Sequence, residues 1–287
     1  MSLPLLRSVL YAPANRPDLI AKMPRYGADA VVVDLEDGTP LGAKQQARAM
    51  AVEAAADLRG RYEGSIWLRV NSPSTEFFAD DLVVLRDGPF DGLNLPKVEH
   101  PDQIRDLEAG LQDLGVGDTP LMIGIETVAG VHRVHDLLGA APRAVAAYFG
   151  AEDFVADLGG RRSVASLETL YARTRVAMAC RLAGLVPIDQ VVLALTDATA
   201  FREDAAVGQD LGYRGKTCIH PAQVKLCHET YTPGPDAVDR ATRLLECYEA
   251  ALRQGRGTAD FEGQMIDTPM VTQARNVLQL AALAATN

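Results

Sequence analysis

At 287 residues, 48% of them hydrophobic, the chain is long enough for one large α/β barrel or two ordinary domains with a sizeable core. A net charge of −10 argues against a general nucleic-acid binder, which needs a basic face, but leaves room for an anionic small ligand held by a local basic cluster. No apolar run reaches the ~18 residues that cross a bilayer, and the N-terminus lacks a basic region followed by a long apolar core, so a cytoplasmic protein without a membrane partner is expected.

In chain order, Ser8-Val9-Leu10-Tyr11 reads as a first strand, stopped by Pro13, with Asn15 placed to cap a helix through Tyr26. The β-branched run Ala30 to Asp34 is a second strand that ends in Asp34, Glu36 and Asp37, and an alanine-rich helix follows from Lys44 to Arg59. Ser65 to Val70 is a third strand, finishing with Arg69 and Asn71, with a helix around Thr75 to Leu85. A fourth, Asp91 to Leu95, stops at Pro96-Lys97, and His100-Pro101-Asp102 opens a helix to Leu114. Leu121 to Ile125 delivers Glu126, and Val131 to Leu138 is its helix. Ala144 to Phe149 is a continuous apolar run, the pattern of a strand covered on both faces, and it ends in Gly150-Ala151-Glu152-Asp153. A helix from Leu167 to Leu185, a seventh strand at Gln190 to Leu193 and an eighth at Gly215 to Ile219 follow, with Pro221 in the first turn of the next helix.

This alternation predicts a (β/α)8 TIM barrel over residues 1–232. A doubly wound sheet would need a glycine-rich phosphate loop after the first strand, and Tyr11-Ala12-Pro13-Ala14-Asn15 is not one. Pro233-Gly234-Pro235 breaks the pattern, so residues 233–287 are expected to form a C-terminal helical extension: a helix from Ala237 to Arg253, a small hairpin or turn from Phe261 to Asp267, and a helix from Val271 to Ala285.

Glu126 and Asp153 terminate consecutive strands, which in a barrel puts both carboxylates on one rim. Two hard oxygen ligands with no nearby cysteine describe a Mg²⁺ site completed by water and substrate; carboxylates that merely cap helices are the alternative. Arg69, on the same rim, suits a substrate carboxylate bound through two hydrogen bonds, or else a surface ion pair with Asp34, Glu36 or Asp37. Lys97 reads as a loop lysine rather than the desolvated amine of a Schiff-base aldolase. His132 and His135 stand at helical spacing and read as a solvated pair, whereas His220 tops the eighth strand, where a ligand can pack on its backbone. Cys180, Cys218, Cys227 and Cys247 form no Cys-x-x-Cys pair and read as reduced thiols.

Leu10-Tyr11-Ala12-Pro13, Asp34-Leu35-Glu36-Asp37, Leu68-Arg69-Val70-Asn71, Leu95-Pro96-Lys97, Gly124-Ile125-Glu126-Thr127, Gly150-Ala151-Glu152-Asp153 and Lys216-Thr217-Cys218-Ile219-His220-Pro221 together resemble the successive motifs of the citrate lyase β-subunit-like family. That family lies within the Mg²⁺-dependent HpcH/HpaI aldolase superfamily, with malyl-CoA and citramalyl-CoA lyases and malyl-CoA thioesterases. The resemblance implies Mg²⁺ held by Glu126 and Asp153, the second acid of its motif, and a 2-oxo acid carboxylate held by Arg69 beside the backbone of Ala151 and Glu152, with Glu152 itself a loop residue. It also implies an acyl-CoA chain lying on Arg16, Lys22, Ile219, His220 and Pro221.

Gly263-Gln264-Met265-Ile266-Asp267 resembles the family's C-terminal motif, whose aspartate reaches a neighbouring subunit's site, so Asp267 is the implied catalytic acid or base in a homotrimer or hexamer. Met265, Ile266 and Pro269 would give it an apolar setting. The implied activity is a carbon–carbon lyase acting on a citryl-, malyl- or citramalyl-CoA type thioester and releasing oxaloacetate, glyoxylate or pyruvate. A malyl-CoA-type thioesterase, or the β subunit of a citrate lyase complex using an acyl-carrier-protein thioester, are the alternatives. Ala14 departs from the glycine of many relatives, which alters the first loop and neither metal ligand.

Overall fold

The computed structural model describes residues 4–163 and 165–285, in two compact units that divide between His228 and Glu229. The first unit alternates strands and helices in the order β1 (Ser8–Pro13), α1 (Pro17–Ile20), β2 (Ala30–Asp34), α2 (Lys44–Arg59), β3 (Ser65–Arg69), α3 (Phe78–Asp87), β4 (Gly92–Leu95) and α4 (Pro101–Asp113). It continues through β5 (Leu121–Ile125), α5 (Val128–His132), α6 (Val134–Gly139), β6 (Ala144–Phe149), α7 (Ala151–Leu158), α8 (Leu167–Ala183), β7 (Val186–Asp189), α9 (Ala198–Asp210) and β8 (Gly215–Cys218) into α10 (Pro221–Tyr231), within which the division falls. All eight strands pair in parallel with their sequence neighbours, and β1 also pairs with β8, closing the expected TIM barrel.

Two periodicities build this unit. Along each strand alternate residues point into the barrel, so Val9, Val32, Trp67, Met122, Ala146 and Ile188 pack together in its interior. On the helices the buried positions recur every three or four residues; α2 buries Ala47, Ala51, Ala54, Ala55 and Leu58. Because every strand runs the same way, the residues that follow the strands gather at one rim.

Local details differ from the sequence expectation where proline or glycine intervenes. The helix expected from Asn15 through Tyr26 is broken: α1 covers Pro17–Ile20 with no side-chain cap, and Met23–Tyr26 is a 3₁₀ turn containing Pro24, which lacks the donor an α-helix needs. The seventh strand lies at Val186–Asp189 rather than Gln190 to Leu193. Pro187 weakens the strand signal there, yet its carbonyl accepts from the Arg214 N–H at 3.0 Å, while Leu193 is exposed. The helix expected over Val131 to Leu138 is two short ones that meet at Arg133. An unanticipated helix, α9, begins at Asp197, whose carboxylate accepts from the N–H groups of Thr199 and Ala200.

In the second unit, α11 (Pro235–Arg253) and α12 (Thr268–Ala285) pack with a hairpin of β9 (Ala259–Phe261) and β10 (Gln264–Ile266). Its turn, Glu262-Gly263, has both residues in the left-handed region, φ 55° and 77°, as a two-residue primed turn demands. Arg240 and Arg243 each pair with Glu262 at 3.0 Å and stack over Phe261, fixing the tip. Leu244, Tyr248, Ile266 and Val271 form the core of this unit.

Candidate active site

The rim collects acidic and basic groups from five successive strands. Asp34, the last residue of β2, stands directly beside Arg69, the last residue of β3. Its carboxylate accepts from Arg69 Nε and Nη2 at 2.7 and 2.8 Å, and from the N–H groups of Glu36 and Gly38 at 2.8 and 3.0 Å. Arg69 Nη1 meets Glu36 Oε2 at 3.0 Å, and the guanidinium stacks on the Tyr11 ring. Arg69 thus makes the ion pairs with Asp34 and Glu36 that were the alternative to a substrate role, and its side chain, 13% exposed, is held in one orientation by them. Burial works against the charge of Asp34, but Arg69 outweighs it and holds that carboxyl below the usual range.

Lys97 follows β4 and takes φ 50°, in the left-handed region. Its ammonium lies 2.9 Å from Glu36, 3.0 Å from Asp37 and 3.3 Å from Asp153, and its own N–H donates to Glu126 Oε2 at 3.2 Å. Burial alone would lower the Lys97 pKa, yet Glu36, Asp153 and Asp37 together raise it. An imine-forming lysine must be neutral, so this environment opposes Schiff-base chemistry.

Glu126 is 2% exposed, and its carboxyl is pushed up to about 8, first by burial and then by the charge of Glu36. Gly150 makes room for it: a β-carbon there would stand 2.5 Å from Glu126 Cγ and 2.8 Å from Oε1. Gly150 also precedes α7, which starts at once after β6, so Glu152 is a first-turn helical residue rather than a loop residue. Its carboxylate pairs with Arg162 at 2.8 Å, whereas Asp153, 41% exposed, reaches Lys97.

Arg69 lines a cavity of about 420 Å³ with Tyr11, Tyr148, Gly150, Thr217 and Ile219. Of the residues expected along an acyl-CoA chain, Ile219 thus opens onto the mouth, and its N–H and that of His220 donate to Gln223 Oε1. Arg16 is half-exposed and paired with Asp18 at 2.8 Å; Lys22 is exposed, and Pro221 opens α10. Asp267 belongs to the second unit, between β10 and α12; Ile266 beside it is buried, but Met265 and Pro269 are exposed, so the apolar setting expected for Asp267 is not built within its own unit. His132 and His135 are both exposed, as a solvated pair should be. Glu36, Asp37 and Lys97 follow β2 and β4 onto the same rim, and the alternation of those strands is the signal in the sequence that links them to Glu126 and Asp153.

Among the described residues no group of three or more His, Cys, Asp or Glu side chains is arranged to hold a metal. A Mg²⁺ ion does not need one, since it commonly uses one or two carboxylates with water and substrate oxygens. Glu126 and Asp153 fit that role: Lys97 touches both, and the raised Glu126 carboxyl is one whose ionisation a cation would favour.

Residues 7–221 match the HpcH/HpaI aldolase/citrate lyase family, and the chain belongs to it. Over 277 residues it is 47% identical to the citrate lyase subunit beta-like protein of Deinococcus radiodurans, covering 96% of each chain. It is 31% identical over 296 residues to the human mitochondrial citramalyl-CoA lyase, covering 96% of this chain and 85% of that one. The crystal structure of CitE from Mycobacterium tuberculosis in complex with magnesium, acetoacetate and coenzyme A matches with a TM-score of 0.81 at 29% identity, covering 96% of this chain and 97% of that one.

Proposed function

We propose that this chain is a Mg²⁺-dependent carbon–carbon lyase that cleaves a 3-hydroxyacyl thioester of the citryl-, malyl- or citramalyl-CoA type into a 2-oxo acid and a shorter acyl thioester. The observation that carries this reading is that Glu126, Asp153 and Arg69 stand at the ends of three strands on one rim, where Glu126 feels the charge of both others: two carboxylates for a divalent ion and one guanidinium for a substrate carboxylate. When bound, the ion supplies charge stabilisation to substrate oxygens. Asp34 takes the Nε and Nη2 edge of Arg69 and fixes the guanidinium in the cavity wall, so a substrate carboxylate would meet Nη1 in place of Glu36. The backbone N–H groups of Ala151 and Glu152 open α7 and add a second set of donors for the same anion.

As the carbon–carbon bond breaks, the substrate's hydroxyl proton passes to solvent water and the departing α-carbon takes up a proton in its place. Asp267 of a neighbouring copy is the proton donor in this scheme, in a homotrimer or hexamer, and Arg16, Lys22 and the Ile219-His220-Pro221 corner carry the thioester tail. The test is product analysis with citramalyl-CoA and malyl-CoA in Mg²⁺. Pyruvate or glyoxylate appearing with acetyl-CoA is the expected result. Free CoA with the intact hydroxy acid would establish hydrolysis instead, and turnover only of acyl-carrier-protein thioesters would establish a lyase subunit. Asp267→Asn should retain Mg²⁺ and oxo-acid binding but lose turnover; full turnover in that variant removes Asp267 from the scheme.

A further inference from the structure

Lys97 stands where a metal-binding mouth would not be expected to spend a cation. Its ammonium draws together Glu36, Asp37 and Asp153, carboxylates from the segments after β2 and β6, while its main-chain N–H holds Glu126. The left-handed backbone at this residue, uncommon for a side chain larger than glycine's, shows that the chain bends to put it there. With Asp34 and Glu126 the mouth carries five carboxyl groups; Arg69 is already engaged by Asp34 and Glu36, and the Lys44 ammonium is held by the carbonyls of Leu35 and Glu36, which leaves Lys97 as the cation that meets Asp153. An ammonium and a divalent ion seek the same oxygen lone pairs of Asp153, and two cations side by side repel.

Resting on the reading of Glu126 and Asp153 as metal ligands, we propose that Lys97 is a built-in competitor for the divalent cation. It neutralises the acidic mouth while no metal is bound. When the metal binds, the ammonium leaves Asp153 and stays with Glu36 and Asp37. The carboxylates are thereby kept in place at the expense of metal affinity, and Lys97 acts as a positioning residue with no contact to the reacting atoms.

The test is calorimetric titration of the purified chain with MgCl₂ and with MnCl₂, for wild type, Lys97→Met and Lys97→Arg. Lys97→Met should bind metal about tenfold more tightly or better, the smallest change expected when a unit positive charge is taken from beside a divalent ion in a water-like dielectric. It should also melt at a lower temperature in EDTA, a loss that added metal reverses. Lys97→Arg, which keeps the charge, should bind as wild type does. Unchanged or weaker binding by folded Lys97→Met overturns the proposal. A crystal structure of the wild-type chain with Mg²⁺ gives an independent answer: Nζ withdrawn from Asp153 supports the proposal, and Nζ still within ion-pair reach overturns it. Wild-type metal binding that is absent, or untouched by Glu126→Ala, would overturn the metal-site reading and this proposal with it.

Discussion

Gly150→Ala probes the candidate metal site through a single added methyl group. The new β-carbon would lie 2.5 Å from Cγ, 2.8 Å from Oε1 and 2.9 Å from Cδ of Glu126, all well inside van der Waals contact. The backbone cannot retreat, because the Gly150 N–H is bonded to the Ile125 carbonyl at 3.0 Å and its own carbonyl accepts from the Phe154 N–H at 3.1 Å. Nor is the backbone conformation at fault, since φ −94° and ψ 90° are open to alanine. The strain must therefore fall on Glu126.

Two responses are available to that side chain. If it stays, the overpacked site loses about 1–3 kcal/mol of stability; if it rotates away, divalent-metal affinity falls by roughly 10–100-fold, the usual result of misplacing a ligand's support. Thermal melting in EDTA and metal titration on the same sample separate the two. Gly139→Ala is the control, because a β-carbon there meets nothing within 4 Å and alanine should be neutral or slightly stabilising. Unaltered melting and unaltered metal affinity in Gly150→Ala would refute the assignment of Gly150 as the residue that makes room for Glu126.

The fold and its pH response give two further predictions. Asp189 accepts from Arg173 Nε at 2.8 Å, from its Nη2 at 2.5 Å and from Lys216 Nζ at 2.8 Å, with all three side chains buried; Asp189→Ala leaves two interior cations sharing Asp204, and should cost about 3–5 kcal/mol in a urea unfolding curve. A loss below about 1 kcal/mol would mean that the cations find other partners. On the acid side, His228 is held below its usual pKa by burial, while Asp34 is held below its own by Arg69, and Asp204 by Lys216 and Arg173, despite their burial. Each of these groups binds fewer protons folded than unfolded, so its contribution is present above its unfolded pKa and is lost as pH falls through the folded value. Glu126, whose raised carboxyl takes up a proton on folding, works the other way between about pH 8 and the unfolded carboxyl range and offsets His228 there. Melting temperature should therefore drop below about pH 4; a flat profile from about pH 4 to 2 contradicts the Asp34 and Asp204 assignments.

Much of this protein was decided locally. The alternation of β-branched runs with helical spacing, and glycine, proline or a carboxylate at most strand ends, foretold the barrel and the rim positions of Arg69, Glu126 and Asp153, because these signals repeat over a few residues and depend on nothing farther away. The same locality explains the misreadings. The apolar Val191-Val192-Leu193 looked more strand-like than Val186–Asp189 with its Pro187, and the choice between them was made by where β6 and β8 offered backbone partners. Whether the sheet closed was settled by the pairing of β1 with β8, at opposite ends of the barrel sequence.

The tertiary structure alone decided the electrostatics of the mouth. Nothing near Lys97 in the chain announces that Glu36, Asp37 and Asp153 meet its ammonium; a pairing of Arg69 with Asp34 or Glu36 could be read from the strand order, but not that both hold it at once with the guanidinium on the Tyr11 ring. Charges interact through space, and burial sets the strength of that interaction, so the side chains' chemistry was written in the sequence while their mutual distances and exclusion from water arose only when the barrel closed.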